Sequence, residues 1–172
     1  INEPTVLVAS TTSTDALCNG AADGMATMIA TGGTMPYTYN WDAGETTASV
    51  TGLAAGTYGV VVLDANACAS TSTVIINEPT QMVDSTNSTN TLCYGSSDGL
   101  AEIVAIGGTA PYSYSWDLAA GGQITQVATS LSSGTYQVTV LDANGCSGVN
   151  SVVIYEPSEL TSVMTSVDVV CN

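Results

Sequence analysis

The 172 residues carry 15 Asp plus Glu and no Lys, Arg or His, a formal charge of −15, so no side chain offers a cation at neutral pH. Nucleic acid is thereby excluded as a partner, because binding it rests on Lys and Arg displacing the counterions of the phosphates, and so is a bare anionic membrane surface. With 45% apolar and only 9% charged residues, the chain does not have the composition of a disordered acidic tail and is expected to fold.

Hydroxyl and small residues dominate, with Val and Ile and with aromatics confined to Tyr and Trp, a composition that favours strands. No run approaches the roughly 18 apolar residues that cross a bilayer, so direct membrane insertion is not expected. In chain order, "MATMIAT" (25–31) places Ala26, Met28 and Ala30 on one face and Thr27 on the other. "YTYNWD" (37–42) aligns Tyr37, Tyr39 and Trp41 against Thr38, Asn40 and Asp42. "LAAGTY" (53–58) has the Leu, Gly and Tyr of a tyrosine corner, in which the phenol bonds back to the chain a few residues upstream. Turn signals separate these runs at Asp23-Gly24, at Gly32-Gly33 and at Asp64 to Asn66.

The same elements then recur. "INEPT" (1–5) returns at 76–80 and as "IYEPS" at 154–158; "CNGAADG" (18–24) returns as "CYGSSDG" (93–99). "GGTMPYTYNWD" (32–42) returns as "GGTAPYSYSWD" (107–117), and "GTYGVVVLDANAC" (56–68) as "GTYQVTVLDANGC" (134–146). Trp41 and Trp116 are 75 residues apart but Tyr58 and Tyr136 are 78 apart, so the second copy has three extra residues between them, expected in a surface loop. Tyr136, Val138 and Val140 are expected to point inward, with Gln137 and Thr139 outward. The organisation expected is the end of a preceding repeat (1–4), two repeats (5–79 and 80–157) and the first strand of a following one (158–172).

About seven short strands per copy, a Trp on the third and a turn every 8 to 12 residues describe an immunoglobulin-like β-sandwich. Only Asn77, Glu78, Pro79 and Thr80 separate the last strand of one copy from the first of the next, and Pro stiffens so short a link. The fold class expected is therefore all-β, tandem immunoglobulin-like sandwiches stacked head to tail as a rod.

The composite pattern Cys-x-Gly, Asp-Gly, Gly-Gly, Pro-Tyr-x-Tyr-x-Trp, followed by "GTY…V…LDAN.C" and an "EP", resembles the SprB repeat of very large surface proteins from gliding and other Bacteroidetes bacteria. The half "GTY…V…DAN" alone is also similar to PKD-type sandwiches. The resemblance implies export, an extracellular, cell-surface location and a part in adhesion or gliding motility, and it brings no catalytic residues. The total lack of Lys and Arg goes beyond what the family requires.

In such a setting disulfides are the expected state of Cys18, Cys68, Cys93 and Cys146. Two pairings stand open: within each copy, Cys18 with Cys68 and Cys93 with Cys146, or between copies, Cys18 with Cys146, leaving Cys171 for a copy beyond. Calcium is the one cofactor that the composition suggests. Its candidate oxygen ligands are Asp23, Asp64, Asn66, Asp98, Asp142 and Asn144, none in the register of an EF-hand loop, and Asp and Asn in turns usually bond their own backbone. Asn87 heads an "NST" sequon, and "DST" at 84–86 is similar to an O-glycosylation pattern of the same bacteria, making Ser85 a second glycan candidate.

Catalysis is not expected: without His there is no default general base, and without Lys or Arg no Schiff base or oxyanion clamp. The function expected is a non-catalytic structural segment of a long extracellular filament or adhesin stalk, whose partners are neighbouring repeats and possible surface polysaccharide. The alternative is a carbohydrate-binding accessory module of a secreted protein, using Tyr37, Tyr39 and Trp41 as a sugar platform.

Overall fold

A computed structural model describes residues 5–166 of the chain. They form two compact units: unit 1 is Ile1–Val83 with Ile106–Pro111 and Asp142–Cys146, and unit 2 is Asp84–Ala105 with Tyr112–Leu141 and Ser147–Asn172.

The first sandwich has six strands: β1 (Val8–Thr14), β2 (Gly24–Thr31), β3 (Thr38–Trp41), β4 (Ser49–Leu53), β5 (Gly56–Leu63) and β6 (Ala69–Ile76). They make two antiparallel three-stranded sheets, ordered β1-β2-β4 and β3-β5-β6. Thr11 of β1 faces Met28 of β2, and Trp41 of β3 faces Val60 of β5. The second sandwich repeats this with β7 (Val83–Thr89), β8 (Gly99–Ile106), β9 (Ser113–Trp116), β10 (Val127–Leu131), β11 (Gly134–Leu141) and β12 (Ser147–Ile154), ordered β10-β8-β7 and β12-β11-β9. The alternation of apolar and polar residues selects the inner faces: Ala26, Met28, Trp41, Val60, Val62 and Ile76 fill the first core, and Ala101, Ile103, Trp116, Val138, Val140 and Ile154 the second. Gln137 is exposed and Thr139 half-buried on the other side of β11.

Seven strands per copy were expected and six are found. The segment between β3 and β4 forms no strand because the core tryptophan uses it as a hydrogen-bond acceptor: the indole Nε1 of Trp41 donates to the Thr47 carbonyl at 2.9 Å, and that of Trp116 to Thr125 at 2.9 Å. The three extra residues of the second copy fall in this segment, where Leu118–Ala120 make one 3₁₀ turn capped by the Asp117 carboxylate, which accepts from the Ala120 N–H. The tyrosine corner is present in both copies: Tyr58 Oη donates to the Ala54 carbonyl at 3.0 Å, and Tyr136 Oη to Ser132 at 2.9 Å. Met35-Pro36 and Ala110-Pro111 are cis. Of the segment expected to begin a following repeat, residues 158–166 form no strand, and 167–172, including Cys171, lie outside the described residues, as do residues 1–4.

Two positions exchange glycine between copies. The bulge of β10 holds Ser130 at φ 60°, where β4 has Gly52 at φ 76°; the turn after β5 holds Ala67 at φ 63°, where the second copy has Gly145 at φ 83°. A left-handed φ costs an L-residue with a Cβ about 1–2 kcal/mol, more than the chain entropy a glycine adds to the unfolded state. Ala67→Gly and Ser130→Gly are each expected to raise the unfolding free energy by about 0.5–1 kcal/mol. Urea titration followed by Trp fluorescence measures this, and a lower midpoint in both variants would show that the strain is absent.

Candidate functional site

Asp64 and Asp142 are buried carboxylates in a chain that has no cation to pair with them. The backbone supplies what a cation would. Asp64 Oδ1 accepts the N–H of Asn66 at 2.8 Å and of Cys68 at 2.9 Å, while Oδ2 accepts the N–H of Thr34 at 2.9 Å. Asp142 repeats this with Asn144 at 2.9 Å, Cys146 at 2.9 Å and Thr109 at 2.8 Å. The Gly-Gly pair before each Thr is required by this packing: a Cβ on Gly33 would stand 2.9 Å from Asp64 Oδ2, and one on Gly108 2.8 Å from Asp142 Oδ2. Each "DANxC" turn is thus wound around its own carboxylate and ends on a cysteine held by that carboxylate.

The hydrogen bonds also set the acidity. The Thr34 N–H, acting against the cost of burial and helped by the Cys68 and Asn66 amides, holds the Asp64 carboxyl below its ordinary value of 3.8. For Asp142, burial opposes the charge most strongly, yet the N–H groups of Thr109, Cys146, Asn144 and Gly145 together outweigh it and leave the group below its ordinary value as well.

The other cysteine-bearing turn, "Cys-x-Gly", joins the first two strands of each copy. Its frame is made by a second carboxylate and by the "EP" motif. Asp23 Oδ1 accepts the Leu17 N–H at 3.1 Å, and Glu78 accepts the Gly20 N–H at 2.6 Å and the Asn19 side-chain amide at 3.0 Å. In the second copy Asp98 Oδ1 accepts the Leu92 N–H at 3.2 Å and the Ser96 hydroxyl, which holds its carboxyl below the ordinary value of 3.8, and Glu156 accepts the Gly95 N–H at 2.7 Å.

The two kinds of turn meet within unit 1. Cys18 is disulfide-bonded to Cys146, 128 residues away, with the Cα atoms 5.7 Å apart. Asn144 Nδ2 donates to the Leu17 carbonyl at 2.8 Å and to Thr109 Oγ1 at 3.1 Å, and the Cys146 sulfur lies 3.5 Å from the Leu17 carbonyl. Of the two pairings left open by the sequence, the one between copies forms. Cys68 and Cys93 were expected in disulfides and are exposed free thiols instead, because each copy's two cysteine turns sit at different ends of its strands.

The calcium candidates do not come together. Asp64, Asn66, Asp142 and Asn144 are engaged in their own turns and Asp23 and Asp98 in the other pair, and among the described residues no group of three or more His, Cys, Asp or Glu side chains could hold a metal ion. The sugar platform is also not formed: Trp41 and Trp116 are each 2% exposed, and Tyr37 and Tyr39 pack against the core. Ser85 and Asn87 stand exposed on β7. No described helix is long and apolar enough to cross a membrane.

The lowered carboxyls fix how acid acts. Because the unfolded chain takes up these protons first, the stability Asp64 and Asp142 contribute is complete above about pH 5 and is lost as pH falls through 3.8 toward their lower folded values. Asp64→Asn/Asp142→Asn is expected to be less stable than the parent at pH 7 and to show a flatter fall of its urea midpoint between about pH 5 and pH 2. Parallel curves for the two proteins would place the acid-sensitive groups elsewhere.

The SprB repeat matches residues 10–46 and 85–121, which run from β1 to the loop after β3 in the first copy and from β7 to the loop after β9 in the second. No curated protein matches the chain. Among solved structures, the three N-terminal domains of the highly immunogenic outer capsid protein Hoc of bacteriophage RB49 superpose with a TM-score of 0.51 at 20% identity, over 87% of this chain and 59% of that one. The C-terminal 282-residue fragment of intimin, solved with the intimin-binding domain of its translocated receptor, gives a TM-score of 0.43 at 12% identity, over 89% and 64%. The chain thus spans less than two thirds of each of these structures, and the likeness to Hoc speaks for fold alone. Family and fold agree on the repeat unit: the two stretches that match the SprB repeat lie at the same place in two immunoglobulin-like β-sandwiches.

Proposed function

We propose that the chain is a non-catalytic structural segment of a long extracellular filament or cell-surface adhesin stalk that serves attachment or motility. The observation that carries this reading is the disulfide between a turn of the first repeat and a turn of the second. A bond that spans 128 residues and closes no active site is of use where repeats must hold together, and it is stable only in an oxidising compartment. The SprB match supports a surface location. The absence of Lys and Arg leaves trypsin-like proteases nothing to cut, and a charge of −15 keeps neighbouring chains apart in solution. Exposed Ser85 and Asn87 offer attachment points for glycans that would shield the β7 edge. A carbohydrate-binding module finds no support in the aromatic row, whose tryptophans belong to the two cores.

Antibodies raised against this segment are expected to label unpermeabilised cells along extended fibres, and brief treatment with elastase, but not with trypsin, is expected to remove the label. Labelling only after permeabilisation would overturn the reading.

A further inference from the structure

In each sandwich an outer strand of one sheet lies beside an outer strand of the other, β1 by β6 and β7 by β12, along a polar seam. In the first repeat Thr11 Oγ1 lies 3.3 Å from Ser72 Oγ and donates to the Thr73 carbonyl at 3.0 Å, and Ala9, two residues earlier, packs against the core. The second repeat keeps the threonine as Thr86 and exchanges both neighbours. "VASTTST" becomes "VDSTNST", which puts Asp84 where Ala9 stands, and "ASTSTVII" becomes "SGVNSVVI", which puts Asn150 where Ser72 stands. A carboxylate and a carboxamide thus enter the seam together.

The three groups converge. Asp84 and Thr86 are the half-buried positions of β7 and share its inward face. Asp84 Oδ2 is shielded from solvent and has no hydrogen-bond partner among the described residues, so a strong proton acceptor stands unused in a chain without cations. Thr86 Oγ1 donates to the Ser151 carbonyl at 3.3 Å, a long bond that keeps the hydroxyl beside residue 150. Asn150 Nδ2 donates to the Asp84 carbonyl at 3.3 Å, and Asn150 Oδ1 accepts the Ser151 N–H at 2.8 Å. The amide therefore has its oxygen on a backbone donor, its nitrogen toward Asp84 and a hydroxyl alongside.

We infer that this seam is a self-processing site, at which Thr86 and Asn150 join in an intramolecular ester that ties the first strand of the second sandwich to its last. Thr86 Oγ1 attacks Asn150 Cγ while the Asp84 carboxylate takes the hydroxyl proton. The Ser151 N–H stabilises the negative charge that builds on Oδ1. The Cγ–Nδ2 bond then breaks, Asp84 gives its proton to the departing nitrogen, and ammonia leaves. Nothing is oxidised or reduced, and the carboxylate ends as it began. Each chain reacts once, so the step is a maturation of the sandwich and not the turnover of a substrate. The first repeat, with Ala9 and Ser72, has neither the proton acceptor nor the amide and stays unlinked.

The test is mass spectrometry of the purified 172-residue chain, followed from fresh preparation through prolonged incubation at neutral pH and reduced to open the Cys18–Cys146 bond. The chain is expected to end about 17 Da lighter than its sequence, the mass of one ammonia. Cleavage after Glu78, Glu102 and Glu156 is expected to give residues 79–102 and 103–156 as one joined species. Mild alkali, which hydrolyses esters and spares amides, is expected to part them. Thr86→Val and Asn150→Ser are expected to keep the sequence mass and separate peptides, and Asp84→Ala to slow the joining about a hundredfold. Asn150→Ser and Asp84→Ala install the first repeat's own residues, and Trp fluorescence checks that all three variants fold. Separate peptides from the parent chain, hydrolysis of the Asn150 amide by water in place of Thr86, a mass loss that persists in Thr86→Val, or an unchanged rate in Asp84→Ala would overturn the inference.

Discussion

A chain with 15 carboxylates and no cation can pair no buried negative charge with a basic side chain, and at Asp64 and Asp142 the backbone takes that part, a constraint that shapes the ends of both sandwiches. Asp64 and Asp142 are each met by three N–H groups, two from their own turn and one from the strand-linking segment that carries Gly-Gly-Thr. Because the carboxylate takes the N–H of the cysteine four residues on, the position of the thiol is set by the charge. The glycines that precede Thr34 and Thr109 are needed because the carboxylate oxygen lies where a Cβ would be. Charge, turn, glycine pair and cysteine are therefore one unit, and an Arg or Lys partner would have left the turn free to drift.

Much of this was legible in the residues. The alternation in "MATMIAT" and "TYQVTVLD" placed the core faces, since period two admits one inward set per strand and Val138 and Val140 have no polar atoms to satisfy. The tyrosine corner was legible because Leu, Gly and Tyr fall at fixed offsets around one turn. The sixth-strand limit was not: that Trp41 would draw the Thr47 carbonyl, and so prevent a strand from forming there, depends on a tertiary contact that "DAGETT" does not announce. The surroundings of the calcium candidates were not legible for a related reason. Asp64 and Asn66 have the chemistry for a hard cation, but whether they turn outward to an ion or inward to amides depends on Thr34, which is 30 residues away in sequence. Disulfide partners stayed open because spacing says nothing about which ends of two modules face each other; only the meeting of the Leu17 carbonyl with Asn144 decides it.

The two repeats also serve as internal controls for each other. Where both copies keep a residue, as at Asp64 and Asp142, Glu78 and Glu156, or Tyr58 and Tyr136, the same hydrogen bond is found twice. Where they differ, the backbone tolerates the difference: Ala67 adopts the left-handed φ of Gly145, and the three extra residues of the second copy leave the indole bond of Trp116 at the same length as that of Trp41.

The Cys18–Cys146 bond also decides where mechanical load would travel. If the chain is pulled from its ends, tension enters through the residues before Cys18, crosses the sulfur bridge and leaves through the residues after Cys146. The residues between the two cysteines, which are 128 apart in sequence and span roughly 430 Å when fully extended, lie outside that path and cannot be released while the bridge lasts. Only β1 of the first sandwich and β12 of the second bear the pull directly, so a tether built this way would lengthen little under force and would gain its slack in one step, upon reduction.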